Sequence, residues 1–309
     1  VGGSSSMKSS NIGGQAVMEG VMMRNADKYA VAVRKTDGEI VVKTEEYKGI
    51  VQNKKIRSLP IIRGVFSFID SMVLGMSTLT YSASFFMDEE EEEKDEKKES
   101  VMMGLTIACS VVMAVAIFMI LPYFLSQLFR KFTDSTTLIT LLEGAVRLVI
   151  FFGYILLISR MKDIQRVFMY HGAEHKCINC IEHGMELNVE NVLKSSRLHK
   201  RCGTSFLFIV MIVSIIFFLF IRIESPIWRV VFRLLLIPVI AGVSFEFIRL
   251  AGKSENKLVI LLSKPGMMLQ KLTTREPDAS MAEVAIASVE AVFDWRAYLK
   301  ENFGWQEKV

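Results

Sequence analysis

Residues 101–129 read VMMGLTIACSVVMAVAIFMILPYFLSQLF, 29 positions without a single charged side chain. A helix needs only about 20 apolar residues to cross the hydrocarbon of a bilayer, so this stretch predicts a membrane span and decides the fold class. Cys202 to Ile221 forms a second run, dense in Phe and Ile, with Arg222 placed where a basic head can reach the interface. Thr136 to Ser159 and Pro226 to Leu250 are also long and apolar but carry ions: Glu143 and Arg147 in the first, Arg229, Arg233, Glu246 and Arg249 in the second. Ions at bilayer depth are costly unless paired. Glu143 and Arg147 stand four apart with the acid N-terminal, so one helix face can pair them. Two weaker stretches, Leu59 to Met87 and Lys257 to Leu272, mix apolar residues with Arg63, Asp70, Lys264 and Pro265, and read as interfacial or re-entrant helices.

Composition agrees. With 51% hydrophobic residues, 23% charged residues and a mean hydropathy of +0.35, the 309-residue chain is too apolar for an ordinary soluble domain. The 37 Lys and Arg against 33 Asp and Glu leave a net charge of +4, without the broad basic excess of a nucleic-acid binder. Four cysteines make no disulfide framework, and no cleavable export signal opens the chain, so a reducing, cytoplasm-facing setting is expected. Eight Lys and Arg lie between Arg160 and Arg201, against two in the turn at Arg130 and Lys131 and none at Glu224 and Ser225. Positive loops stay inside, so the 160–201 loop is placed in the cytoplasm. Four crossings then put both termini there as well, in a multi-pass protein of the cell membrane.

The expected architecture is therefore mainly α: a polytopic helical membrane bundle of about four spans, with interfacial or re-entrant helices and a small N-terminal β-hairpin. Residues 1–12 read as a tag or disordered start, and 13–58 as a cytoplasmic motif and hairpin. Tyr29 to Arg34 and Glu39 to Thr44 are β-rich runs joined through Asp37-Gly38, which supplies the positive φ of a turn. An interfacial or re-entrant helix (59–87), an acidic linker (88–100), two spans (101–159), the His/Cys loop (160–201) and two more spans (202–250) follow. The last part, 251–309, holds the second interfacial or re-entrant segment. It ends in an amphipathic helix, where Met281, Val284, Ala285, Ser288, Val289 and Val292 recur at helical spacing.

Chemistry concentrates in Tyr170 to Gly184, YHGAEHKCINCIEHG, with three of the chain's four histidines and two of its four cysteines. His171, Glu174 and His175 spell H-x-x-E-H, which on a helix projects two imidazoles from one face with a carboxylate beside them. Neutral imidazoles bind a borderline divalent metal, and the carboxylate can ligate it or accept a proton from water. Cys177 and Cys180 follow as C-x-x-C, and His199 and Cys202 come at the mouth of the next span. The candidate ligands are thus His171, His175, Cys180, His199 and Cys202, and zinc suits such a mixed set, with other transition metals open. A closed structural zinc clip, a C-x-x-C redox pair and solvated histidines are the competing readings. The redox pair lacks a surrounding βαβ pattern.

These residues resemble the YqhQ-like membrane proteins, whose shared region is named domain of unknown function 1385. The resemblance runs from Gly13 to about Val292 through GGQAVMEGVMMR (13–24), YHGAEHK (170–176), RCGTSF (201–206) and TTREPD (273–278). That family is described as predicted metal-dependent enzymes. Its usual Pro before the Arg-Cys pair is Lys200 here, which implies a less rigid loop. The resemblance implies that Gln15, Glu19, Arg24, Arg275, Glu276 and Asp278 belong with the His cluster. Glu19 would join Glu174 as a catalytic carboxylate and the others would bind substrate. Polar groups converging there suggest a pocket that Glu143, Arg147, Glu246 and Arg249 would continue inward; the competing reading, favoured for Glu143 with Arg147, is that each acid pairs with an arginine and pins helices together.

The leading functional expectation is a metal-dependent hydrolase acting on a membrane-associated substrate, with Glu174 as general base. A transporter or membrane scaffold with a structural metal site is the alternative; Pro122, Pro238 and Pro265 could break helices beside a cavity. An intramembrane protease ranks below both, because ten positions from Arg160 to Met169, five of them polar or charged, precede the motif and suggest a surface location. The expected partners are the lipid bilayer and, in the transport reading, further copies of the chain.

Overall fold

The computed structural model describes residues 7–86, 96–221, 223, 225–253 and 256–306. Residues 88–95 of the expected acidic linker lie outside them, and from Glu96 the chain is helical. Four strands open the fold: β1 (Gly13–Val17), β2 (Gly20–Asn25), β3 (Lys28–Arg34) and β4 (Ile40–Glu46), an antiparallel meander in sequence order. Helices follow: α1 (Lys54–Ser58), α2 (Ile62–Ala83), α3 (Glu96–Val115), α4 (Leu121–Gln127), α5 (Thr136–Ile158) and α6 (Lys162–Glu182). Then come α7 (Val189–Lys194), α8 (Gly203–Phe220), α9 (Pro226–Lys253), α10 (Lys257–Thr273), α11 (Ala279–Val292) and α12 (Trp295–Phe303).

The expected hairpin is the second half of this sheet, and Gly38 takes its positive φ of 90° in the turn. Its first half, the stretch read only as a polar motif, supplies β1 and β2. Alternate residues of the sheet enter two different cores. Val21, Met23, Ala30 and Ala32 face α6 and α11, whereas Val17, Met22, Tyr29, Val31 and Val33 face Leu74 of α2. β1 (GGQAV) and β2 (GVMMRN) hold only one β-branched residue each, which is why they escaped the composition that marks β3 and β4.

Five helical stretches are long and apolar enough to cross a membrane: Ile62–Phe86, Gly104–Lys131, Thr136–Ile158, Gly203–Phe220 and Pro226–Ala251. The sequence reading counted four, having set the first aside as interfacial or re-entrant. Gly104–Lys131 passes through a π-helical segment at Ala116–Ile120, just ahead of Pro122, and the chain covers none of its most apolar window. Pro238 and Pro265 lie inside α9 and α10 without ending them, so the 257–273 segment is one continuous helix. The buried ions of the bundle form a trio: Glu143 accepts from Arg147 at 2.8 Å and from both Arg233 guanidinium nitrogens at 2.5 and 2.9 Å. Glu246 is held by Arg63 of α2 through two 2.5 Å hydrogen bonds, with Arg249 at 3.8 Å.

Two boundaries need correction. The 160–201 segment is no loop: 21 of its residues form α6 and six more form α7. Residues 7–12, grouped with a tag, lie against the end of α6. There Glu182, fully buried, accepts from the Ser10 amide and hydroxyl at 2.7 Å, from Arg201 at 2.5 Å and from His199 at 3.3 Å. Burial pushes its carboxyl up, but the His199 hydrogen bond and the Arg201 charge outweigh that and bring it from 4.5 down to about 2. A depressed folded pKa stabilises fully above the unfolded value and loses that stabilisation as pH falls toward the folded one. Glu182→Gln, which leaves Arg201 without its carboxylate, is therefore expected to cost about 3 kcal/mol near pH 7. The gap to the parent should close as the pH drops from 4.5 toward 2. Detergent unfolding curves over that range check it, and equal stabilities at neutral pH would contradict it.

Candidate metal centre

α6 is a mostly polar helix that is buried along its second half, and each polar group there has a partner as burial requires. The extended chain between α7 and α8 runs along one face of α6 and offers its carbonyls. Lys176 donates to Leu193 and Ser195 at 2.8 Å, Asn179 to Ser196 at 2.7 Å and Leu198 at 3.0 Å, and His175 Nδ1 to Arg197 at 2.6 Å. On the adjoining side His171 Nδ1 donates to the Thr273 carbonyl at 2.9 Å, at the end of α10. Gly172 allows that approach, since a Cβ there would overlap the Arg275 carbonyl oxygen.

A carbonyl oxygen only accepts, so both Nδ1 atoms carry a proton and Nε2 is the atom each ring offers to a metal or to a further proton. Both Nε2 atoms turn toward one sulfur. His171 Nε2 lies 3.2 Å from Cys202 Sγ, the two imidazole centroids are 4.4 Å apart, and one ligand atom from each of His171, His175 and Cys202 falls within 4.8 Å of the others. Cys202 is the N-cap of α8, where Sγ also accepts from the Thr204 amide at 3.4 Å. Burial pushes its thiol up, but the facing imidazoles hold it well below the ordinary range, and the helix N-terminus favours the anion too. Burial alone would lower His171; the Cys202 sulfur reverses this and raises it to about 9.

These three residues suit a transition metal, which would displace the Nε2 proton of His171: two imidazoles, oriented through Nδ1 by backbone carbonyls, and one anionic sulfur. Glu174, one turn from His171 and beside His175, is buried with the Gly14 amide as a hydrogen-bond partner. Burial pushes its carboxyl up against the pull of the two imidazoles. A cavity of about 710 Å³ opens beside the cluster, with Gln15 of β1 and Arg201 also on its wall.

The other predicted ligands are elsewhere. Cys180 follows His171 by about two and a half helical turns, and so lies on the opposite face. There its thiol donates to the Glu186 carbonyl at 3.3 Å, and Cys177 joins it in the core with the sheet and α11. Burial pushes the Cys180 thiol to about 12 and Cys177 well above its usual value, which makes both inert. His199 sits 5.8 Å from the His175 ring, but its Nε2 is bound to Glu182. The sequence could not divide the cysteines between core and cluster.

Along residues 59–295 the chain matches the family described as "Protein of unknown function (DUF1385)". It belongs to that family. It is also 36% identical over 301 residues to "Uncharacterized protein YqhQ" of Bacillus subtilis (strain 168), with 94% of each chain covered. No solved structure matches it.

Within this DUF1385 chain the two terminal motifs divide. Gln15 reaches the cavity and donates to the Gly75 carbonyl at 3.4 Å. Glu19, in the β1–β2 turn with φ 49°, instead forms two 2.5 Å bonds with Arg166 and accepts from Tyr170 at 3.3 Å. Arg24 donates to the Ala26 carbonyl at 2.8 Å and lies over the Tyr47 ring. Arg275 bonds the Ser159 carbonyl at 3.0 Å, Glu276 pairs with Lys176 at 2.8 Å, and Asp278 caps α11 through the Met281 amide. Apart from Gln15, these groups brace the elements around α6. Sequence reasoning missed Arg63, Arg166, Glu182 and Arg233, whose partners are distant in the chain. It also missed the Thr273 and Arg197 carbonyls, since any residue offers a carbonyl.

Proposed function

We propose that this protein holds a divalent metal at His171, His175 and Cys202 on the cytoplasmic face of the cell membrane and hydrolyses a membrane-associated substrate there. The observation that carries this reading is the pair of carbonyl-anchored imidazoles aimed at a helix-capping thiol beside an open cavity. Three protein ligands leave a position open, which distinguishes catalytic zinc sites from closed structural ones. When bound, zinc supplies Lewis acidity toward a carbonyl or phosphoryl oxygen and makes water acidic near neutral pH. Glu174 is the base: its carboxylate oxygen takes the proton from water and returns it to the leaving group. Cys202 supplies the anionic ligand, and Gln15 is positioned to orient substrate.

The packing supports four crossings. The sheet, α6 and α11 form one core: Ser288 of α11 donates to the Ala30 carbonyl, and Asn25 to that of Val292. Three remote parts of the chain therefore share one side of the membrane, and an even number of crossings must separate each from the next. Three apolar helices lie between the sheet and α6, and two between α6 and α11. The odd one is α2, whose buried Asp70 accepts from Tyr47 at 3.1 Å and the Ile50 amide at 2.8 Å, and whose Leu74 packs on the sheet. We infer that α2 lies along the interface. The eight cations of 160–201 favour the cytoplasm for the shared core. The trio of Glu143, Arg147 and Arg233 then pins α5 to α9 within the bundle.

Elemental analysis of the detergent-purified protein should find about one zinc or related metal per chain, absent from a His171→Ala, His175→Ala double variant. Glu174→Ala should keep the metal and lose turnover of an ester-linked lipid by about 10²-fold or more; a parent without metal overturns the reading. In intact cells, an impermeant maleimide should label Asp134→Cys from outside and spare Ser84→Cys and Ser280→Cys. Labelling of Ser84→Cys would show α2 to be a fifth crossing.

A further inference from the structure

The polar groups of the cavity beside the metal cluster gather at one end, where Gln15, Glu174, Arg201 and Thr204 lie with the cluster itself. Away from them the wall is mostly apolar, with Ser67 and Ser71 as exceptions: Met72, Met76 and Leu79 of α2, Phe206 and Leu207 of α8 and Ile248 of α9. Four of these are open outward, with Met72 53%, Met76 44%, Leu79 38% and Leu207 45% exposed. A water-soluble substrate has no use for such a wall, and an exposed apolar wall in water would be unfavourable. α8 and α9 are among the helices long and apolar enough to cross a membrane, so the mouth between them and α2 faces the acyl region of the bilayer. The volume, about 710 Å³, lies within the range of small-molecule pockets. A bulky two-domain partner would not fit it, whereas one hydrocarbon chain with its linkage would.

From this geometry, and resting on the proposed function for the chemistry at its polar end, we propose that the cavity binds a membrane lipid through one acyl chain. The lipid enters sideways from the bilayer. Its chain lies along Met72, Met76 and Leu207, and its carboxyl linkage reaches His171, Glu174 and Gln15. Gly75 shapes the passage where β1 meets α2, since a Cβ there would overlap the Gln15 carboxamide.

The full chain in nanodiscs, exposed to a monoacyl glycerophospholipid with a diazirine on its acyl chain, tests this. Saturable labelling is expected on residues 67–79 and 203–207, competed by excess unlabelled lipid. It should fall about tenfold in Ser71→Trp, which obstructs the cavity wall without touching the metal cluster. A second obstruction, Leu207→Trp, should act alike, and the thermal unfolding midpoint and monodisperse elution of the same samples report that both variants stay folded. Labelling should persist in the His171→Ala, His175→Ala variant, so a failed metal reading would leave this result standing. Label spread over the exposed apolar surface, insensitive to competitor and to both tryptophans, would show ordinary bilayer contact and overturn the proposal. So would labelling confined to residues 104–131.

Discussion

The fold depends on burying a polar helix. α6 carries His171, Glu174, His175, Lys176, Asn179 and Glu182 into the interior, and a polar group without a partner there costs a few kcal/mol. The chain answers by drawing other segments over α6: residues 193–199 along one face, the α10–α11 connection along another, and the start of the chain at its end. The opposite face, with Cys177 and Cys180, is apolar and takes the sheet and α11. Because its partners come from every part of the chain, α6 sets the mutual position of the sheet, α11 and the long apolar helices.

The candidate site is a consequence of that arrangement. Satisfying Nδ1 of both imidazoles with carbonyls fixes the rings and leaves both Nε2 atoms directed at the N-terminus of α8, where Cys202 is the cap. Imidazole nitrogens facing an anionic sulfur attract a proton or a cation, and the depressed Cys202 and raised His171 express the same attraction. Gln270 ties α10 to this corner, accepting from the His199 amide and donating to the His199 carbonyl and Ser205, each at 2.8 Å.

Much of this was legible in the sequence, but unevenly. Long uncharged runs mark helices able to cross a membrane because length and polarity suffice, and H-x-x-E-H on a helix brings His171 and His175 together, as they are in the structure. Cys202 emerged only as one of several ligands, since nothing local tells a capping thiol from a core thiol such as Cys180. Glu19 and Arg24 were marked only by the family resemblance, and in the structure Glu19 pairs with Arg166 while Arg24 bonds the Ala26 carbonyl. The sheet itself was half visible: β3 and β4 declare themselves by composition, but β1 (GGQAV) and β2 (GVMMRN) hold one β-branched residue each and carry little strand signal. Long-range partners such as Arg63 for Glu246 have no signature short of the fold.

X-ray absorption at the zinc edge of zinc-loaded protein tests the central claim most directly, because it counts ligands by element. Two nitrogen ligands at about 2.0–2.1 Å, one sulfur at about 2.3 Å and one exchangeable light atom are expected. A sulfur-free shell, or one closed by four protein ligands, would contradict the account.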